Sequence, residues 1–139
     1  MEFNYNSNDT HKEPGYQQNA GARQSFNNAL YGIAYCFKTQ RNIPLIVVAT
    51  VAVLLLSWWF AISIIELLIV ITAIGLVIIT ETVNTAIEKA VDLVTDKYHP
   101  LARLAKDVAA GGVLLAVLYS IVVGLIIFLP RLLEFLSIV

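Results

Sequence analysis

The sequence predicts an all-α membrane fold: three transmembrane helices preceded by an amphipathic surface helix. Three observations carry that expectation. Hydrophobic residues make up 58% of the 139 positions and charged residues only 14%, more apolar surface than one domain of this size can hide from water. Residues 44–65 and 108–129 each run 22 positions without a charge, enough to cross about 30 Å of hydrocarbon at about 1.5 Å per residue. Eight of the nine Lys and Arg residues fall in segments that such a topology places on one side. The net charge of −1 comes without any basic block that would suggest a nucleic-acid partner. The lone cysteine, Cys36, excludes an internal disulfide and carries no metal or redox signal.

Residues 1–22 are polar and mixed in charge, and are expected to form a disordered cytoplasmic tail. They lack the apolar core of a cleavable export signal, and the Asn8-Asp9-Thr10 sequon is without meaning in the cytoplasm. The membrane domain is expected at 23–139. Within it Phe26, Leu30, Ile33 and Phe37 recur at i, i+4, i+7 and i+11. That is the stripe of an amphipathic helix, over 23–41, lying on the membrane surface or packed on the bundle. The first span is expected at about 44–65 and the third at about 106–130. Between them, residues 67–80 are uncharged but only 14 long. The second span must therefore run on to about residue 92, carrying polar groups with it. Unsatisfied backbone is not tolerated in hydrocarbon, so all three cross as helices.

Charge placement sets the orientation. Lys12, Arg23, Lys38 and Arg41 precede the first span, and Lys89, Lys97, Arg103 and Lys106 lie between the second and third. Only Arg131 falls on the far side, beside Glu66 and Glu134. The N-terminus and the loop at 89–107 are thus expected on the cytoplasmic side of the cell (inner) membrane. Trp58 and Trp59 fit the outer aromatic belt, and Gly111 and Gly112 are expected to allow close helix approach.

The chemistry is concentrated in the second span. Glu81, Asn84, Thr85, Glu88 and Asp92 fall within about 100° of arc on one helix face. A charged group near the middle of a spanning helix costs at least about 2.5–3.5 kcal/mol, and neighbouring like charges resist ionisation unless a cation sits among them. The stripe asks for a divalent metal, a proton-transfer role or a cationic partner, and oxygen ligands favour Mg²⁺ over zinc. A solvated acidic face beyond the membrane is the plainer reading, strongest for Asp92. The loop that follows brings Tyr98, His99, Arg103, Lys106 and Asp107 beside the stripe, a set suited to polyphosphate. No glycine-rich phosphate loop or protein-kinase signature occurs. Residue spacing alone reaches an acidic metal site at the cytoplasmic side of the membrane. A small oligomeric ion conductor or a non-catalytic membrane subunit fits that much equally.

The string Glu81-x-Val-Asn-Thr-Ala-Ile-Glu88-x-x-Val-Asp92 resembles the signature of the prokaryotic diacylglycerol kinase family, which includes undecaprenol kinases. Tyr98-His99-Pro100-Leu101 and Ala105-Lys106-Asp107-Val-Ala-Ala-Gly resemble its second block. Ser25-Phe26 through Gly32, Phe37-Lys38-Thr39 and Arg41-Asn42 resemble its surface helix. The resemblance implies a homotrimer with active sites shared between neighbours, and ATP, Mg²⁺ and a membrane lipid alcohol as reactants. It implies Glu81 as general base, Glu88 as the Mg²⁺ ligand, and Asn84, Thr85 and Asp92 shaping the site. Tyr98, His99, Lys106 and Asp107 would contact the nucleotide. One position departs from the pattern: Gln40 stands where the family usually places a second metal-binding glutamate. The loop strings look more like the undecaprenol branch, with diacylglycerol the other lipid left open.

Overall fold

The computed structural model describes residues 21–138; most of the expected tail, with its Asn8 sequon, lies outside them. Among the described residues four helices follow one another: α1 (Ala22–Thr39), α2 (Ile43–Trp59), α3 (Ile64–Val94) and α4 (Pro100–Ile138). The chain divides into two units, Met1–Ala34 and Tyr35–Val139. In the first, the described residues form the beginning of α1, with Phe26, Leu30 and Ile33 exposed. The second holds the end of α1 and the other three helices.

The chain is all-helical, with two to three candidate membrane spans. α3 and α4 are each long and apolar enough to cross. α2 is apolar on every side but only 17 residues long, about 25 Å of helix, and qualifies only when counted together with α1. Its end is the main departure from the expected span at 44–65. Ile62 N–H bonds the Ser57 carbonyl at 3.2 Å and Ala61 N–H bonds that of Trp58 at 3.2 Å, the paired bonds of a Schellman stop. Ala61 supplies the left-handed residue, φ 44°, where glycine is usual. Ile64 and Ile65 therefore belong to α3, which opens on a reciprocal cap: Ser63 accepts from the Glu66 N–H while Glu66 accepts from the Ser63 N–H.

α3 and α4 form an antiparallel hairpin across a short turn at 95–99. Pro100 opens α4 with no N–H to satisfy, and His99 Nδ1 accepts from the Leu101 N–H at 3.3 Å. Val70 and Ala73 of α3 meet Val123 and Ile127 of α4, with Val53 of α2 and Ile62 packed against them. Ser120 Oγ crosses the seam to the Ala73 carbonyl at 3.3 Å. At the far end of the hairpin from the turn, Arg131 Nη2 donates to both Glu66 oxygens at 2.9 Å. Its Nη1 caps the Ile127 carbonyl at 2.6 Å. α4 runs unbroken past Pro130, so this third apolar helix extends well beyond 106–130 at both ends.

One expectation changes. A Cβ built at Gly111 or Gly112 meets nothing within 4 Å, so within this chain neither glycine serves a close helix approach. Trp58 and Trp59, in the last turn of α2, are 78% and 66% exposed, which suits residues facing lipid or its interface.

The stop at Ala61 generates a stability prediction. An L-residue in the left-handed region costs roughly 1–2 kcal/mol, against about 0.5–1 kcal/mol for the extra chain entropy of glycine. Ala61→Gly is expected to raise the unfolding midpoint in detergent by the equivalent of up to about 1 kcal/mol. A fall would mean that the Ala61 methyl packs more than the turn strains.

Candidate active site

The polar face of α3 grades from buried to exposed. Glu81 is 2% exposed, Thr85 2% and Asn84 7%. Glu88 is half-buried and Asp92 exposed. Thr85 Oγ1 returns to the Glu81 carbonyl at 2.9 Å, which satisfies the hydroxyl inside the helix. Asn84 Nδ2 donates to Glu88 Oε1 at 3.0 Å, one turn on.

Two amides from the break between α1 and α2 reach this face. Asn42 Nδ2 donates to Glu81 Oε1 at 3.2 Å, and Gln40 Nε2 makes a long contact to Glu88 Oε2 at 3.5 Å. Among the described residues no cation pairs with Glu81 or Glu88. Asn84 Oδ1 is buried with no partner among them, an arrangement that costs free energy unless something else supplies a positive centre. Both oxygens of Glu88 thus face amides that also carry an oxygen, and rotation of either amide would present that oxygen instead. Such an all-oxygen set, with a single carboxylate, fits Mg²⁺ that keeps most of its waters or takes phosphate oxygens. Gln40 sits at Glu88, but as a neutral amide.

Asp92 lies elsewhere. Lys106 Nζ holds it at 2.6 Å, with Lys89 at 3.8 Å. Its negative charge is thus offset by lysine, and among the described residues no cluster of three or more His, Cys, Asp or Glu is placed to hold a metal. Asp92 belongs instead to a cleft of about 440 Å³ at the hairpin turn, which brings together Tyr98, His99, Lys106 and Asp107 with Lys97 and Arg103. Arg103 and Asp107 pair at 3.6 Å across one turn of α4. The chain therefore carries two adjoining polar regions on α3. One is a dry carboxylate–amide region around Glu81, Asn84 and Glu88, and the other an open, mixed-charge cleft from Asp92 to Asp107.

Asn42 is the residue that sequence reasoning passed over as a participant. Its contact joins positions 39 apart in sequence, and no periodicity reports such a contact. An asparagine just ahead of Pro44 reads as a helix cap and no more.

The described residues thus set a buried carboxylate on an apolar helix beside an open polar cleft that holds Lys97, Arg103 and Lys106. The sequence matches the prokaryotic diacylglycerol kinase family over residues 27–128. It is 46% identical over 109 residues to the undecaprenol kinase of Bacillus subtilis, covering 78% of this chain and 89% of that one. It is 41% identical over 111 residues to a diacylglycerol kinase of Synechocystis, covering 79% of this chain and 63% of the relative. Against the Escherichia coli diacylglycerol kinase the identity is 32% over 75 residues, 54% of this chain and 62% of the relative. The chain belongs to the prokaryotic diacylglycerol kinase family. Its activity is accordingly that of a lipid kinase, a phosphotransferase with an alcohol acceptor that uses ATP.

Proposed function

We propose that this chain transfers the γ-phosphoryl group of ATP to a long-chain prenol of the undecaprenol type, with diacylglycerol the second lipid to test. The higher identity and fuller coverage of the undecaprenol kinase relative support that order. Glu81 is the general base, Glu88 would hold Mg²⁺ with help from Asn84 and Gln40, and Tyr98, His99, Lys106 and Asp107 receive the nucleotide. Mg²⁺ neutralises phosphate charge when bound. The observation that carries the reading is depth along one helix face. Glu81 is buried at 2% exposure, where a lipid hydroxyl arrives from the membrane. Glu88 lies two turns nearer the hairpin turn, where the polar cleft opens to water.

In the reaction, Glu81 takes the hydroxyl proton as the alcohol oxygen attacks the γ-phosphorus, the bond from that phosphorus to the β,γ-bridging oxygen breaks, and ADP leaves with its electron pair. Lys106 spends one of its three N–H donors on Asp92, leaving two for phosphoryl oxygens as charge develops there. Asn84, Thr85 and Asp92 shape the site by fixing Glu88, the helix backbone at Glu81 and Lys106 respectively. Around this chemistry we place an N-terminal tail, a surface helix in α1 and three spans carried by α2, α3 and α4. The N-terminus and the turn at 95–99 face the cytoplasm across the inner membrane. The homotrimer is likewise part of the reading: the exposed apolar faces of α2 and α4 and the open space beside Gly111 and Gly112 leave room for lipid and for neighbouring copies.

The activity is tested with labelled ATP and a panel of lipid alcohols in mixed micelles. Glu81→Gln is expected to cut turnover by about 10²-fold or more with KM for ATP near wild type. Glu88→Gln is expected to raise that KM as well as lower turnover. Normal turnover in Glu81→Gln, with altered ion leakage through proteoliposomes in both variants, would favour the conductor reading instead.

Orientation is tested by cysteine labelling. The native Cys36 is only 6% exposed and serves as the unreactive background. Lys97→Cys, in the exposed turn, is expected to react with an impermeant maleimide in inverted vesicles and not in intact cells. The opposite pattern contradicts the charge-based topology.

A further inference from the structure

Asn42 occupies the N-cap of α2, yet its side chain makes no capping bond. The usual donors to such a cap are the N–H groups of the second and third helical residues, and the second here is Pro44, which has none. The amide turns away instead and donates to Glu81 Oε1 at 3.2 Å. A carboxylate can only accept, so the contact must use the N–H₂ end. No other side chain among the described residues donates to Glu81. One oxygen of a nearly inaccessible carboxylate is thus fixed by the start of a different helix, and the other is left to a reactant.

We propose that Asn42 is a positioning residue for the phosphoryl transfer: it locks the Glu81 carboxylate so that Oε2 faces the lipid hydroxyl. This rests on the reading of Glu81 as the base. The break between α1 and α2 then has a task beyond turning the chain. It carries the amides of Gln40 and Asn42, two positions apart, to the two carboxylates of α3, seven positions apart. Gln40 reaches the carboxylate nearer the polar cleft and Asn42 the buried one.

Capping and positioning are separable by chemistry. Asp and Ser cap a helix about as well as Asn, but Asp has no N–H to donate and Ser is too short to span the contact. Under the proposal Asn42→Ser folds with a thermal midpoint close to wild type, and Asn42→Asp folds with a lower one because it sets a second carboxylate against Glu81. Both lose about 10-fold or more in kcat while KM for ATP stays within about twofold. Adding Asn42→Ser to Glu81→Gln lowers turnover no further than Glu81→Gln alone, because the group it positions is already gone. Wild-type kcat in both Asn42 variants, with Glu81→Gln inactive, overturns the proposal and leaves the base intact. A fully additive loss in the double variant, or a change confined to KM for ATP, also overturns it. Wild-type turnover in Glu81→Gln removes both the base reading and this one.

Discussion

Everything in this chain is arranged around a carboxylate kept dry. Glu81 follows fourteen uncharged residues on α3 and is all but inaccessible, in surroundings where an unpaired charge is costly. The fold answers with dipoles in place of cations. An amide from the start of α2 reaches one oxygen, and Thr85 settles its own hydroxyl on the backbone of the same turn. No lysine or arginine is spent there. A neutral amide orients the carboxylate without setting a charge beside it.

The α3–α4 hairpin supplies the rigid frame. Ion pairs close it near both ends, Glu66 with Arg131 at one and Asp92 with Lys106 at the other, and a small-residue seam of Ala73, Ala116 and Ser120 lies between. An exposed pair such as Asp92 with Lys106 contributes little to stability, and Glu66 with Arg131 is half-buried. Their use here is register: they fix how far the polar cleft at the turn stands from Glu88 and Glu81 along α3. The same hairpin sets the order of environments, from apolar through amide-lined to open and charged. A lipid alcohol and a nucleotide need that order if they are to meet from opposite sides.

The polar face of α3 was legible because helical geometry alone puts Glu81, Asn84, Thr85, Glu88 and Asp92 together, and no tertiary information was needed. The family signature added what spacing does not contain, the identity of the chemistry. Helix ends were legible only in part. Ser63-Ile-Ile-Glu66 has the pattern of a capping box and marks the start of α3, yet the expected first span at 44–65 runs through it. The stop of α2 is not visible, because an alanine does the work of glycine at residue 61. Contacts between distant segments were the least accessible. Lys106 and Asp92 were both singled out, but their pairing depends on the register of the hairpin. Asn42 on Glu81 depends on where α2 begins. Gly111 and Gly112 show the reverse error: small residues invite close packing, but nothing in their spacing says whether the neighbour belongs to the same chain.

The claim on which the rest depends is that proton transfer and nucleotide binding are separated in depth along α3. It is tested most directly by a structure of the protein with a non-hydrolysable ATP analogue, Mg²⁺ and a lipid alcohol bound together. The account predicts the lipid hydroxyl within about 3 Å of Glu81 Oε2, the phosphates between Glu88 and Lys106, and the base of the nucleotide toward Tyr98 and His99. A lipid hydroxyl lodged at Asp92 or Asp107, with Glu81 touching neither reactant, would contradict it.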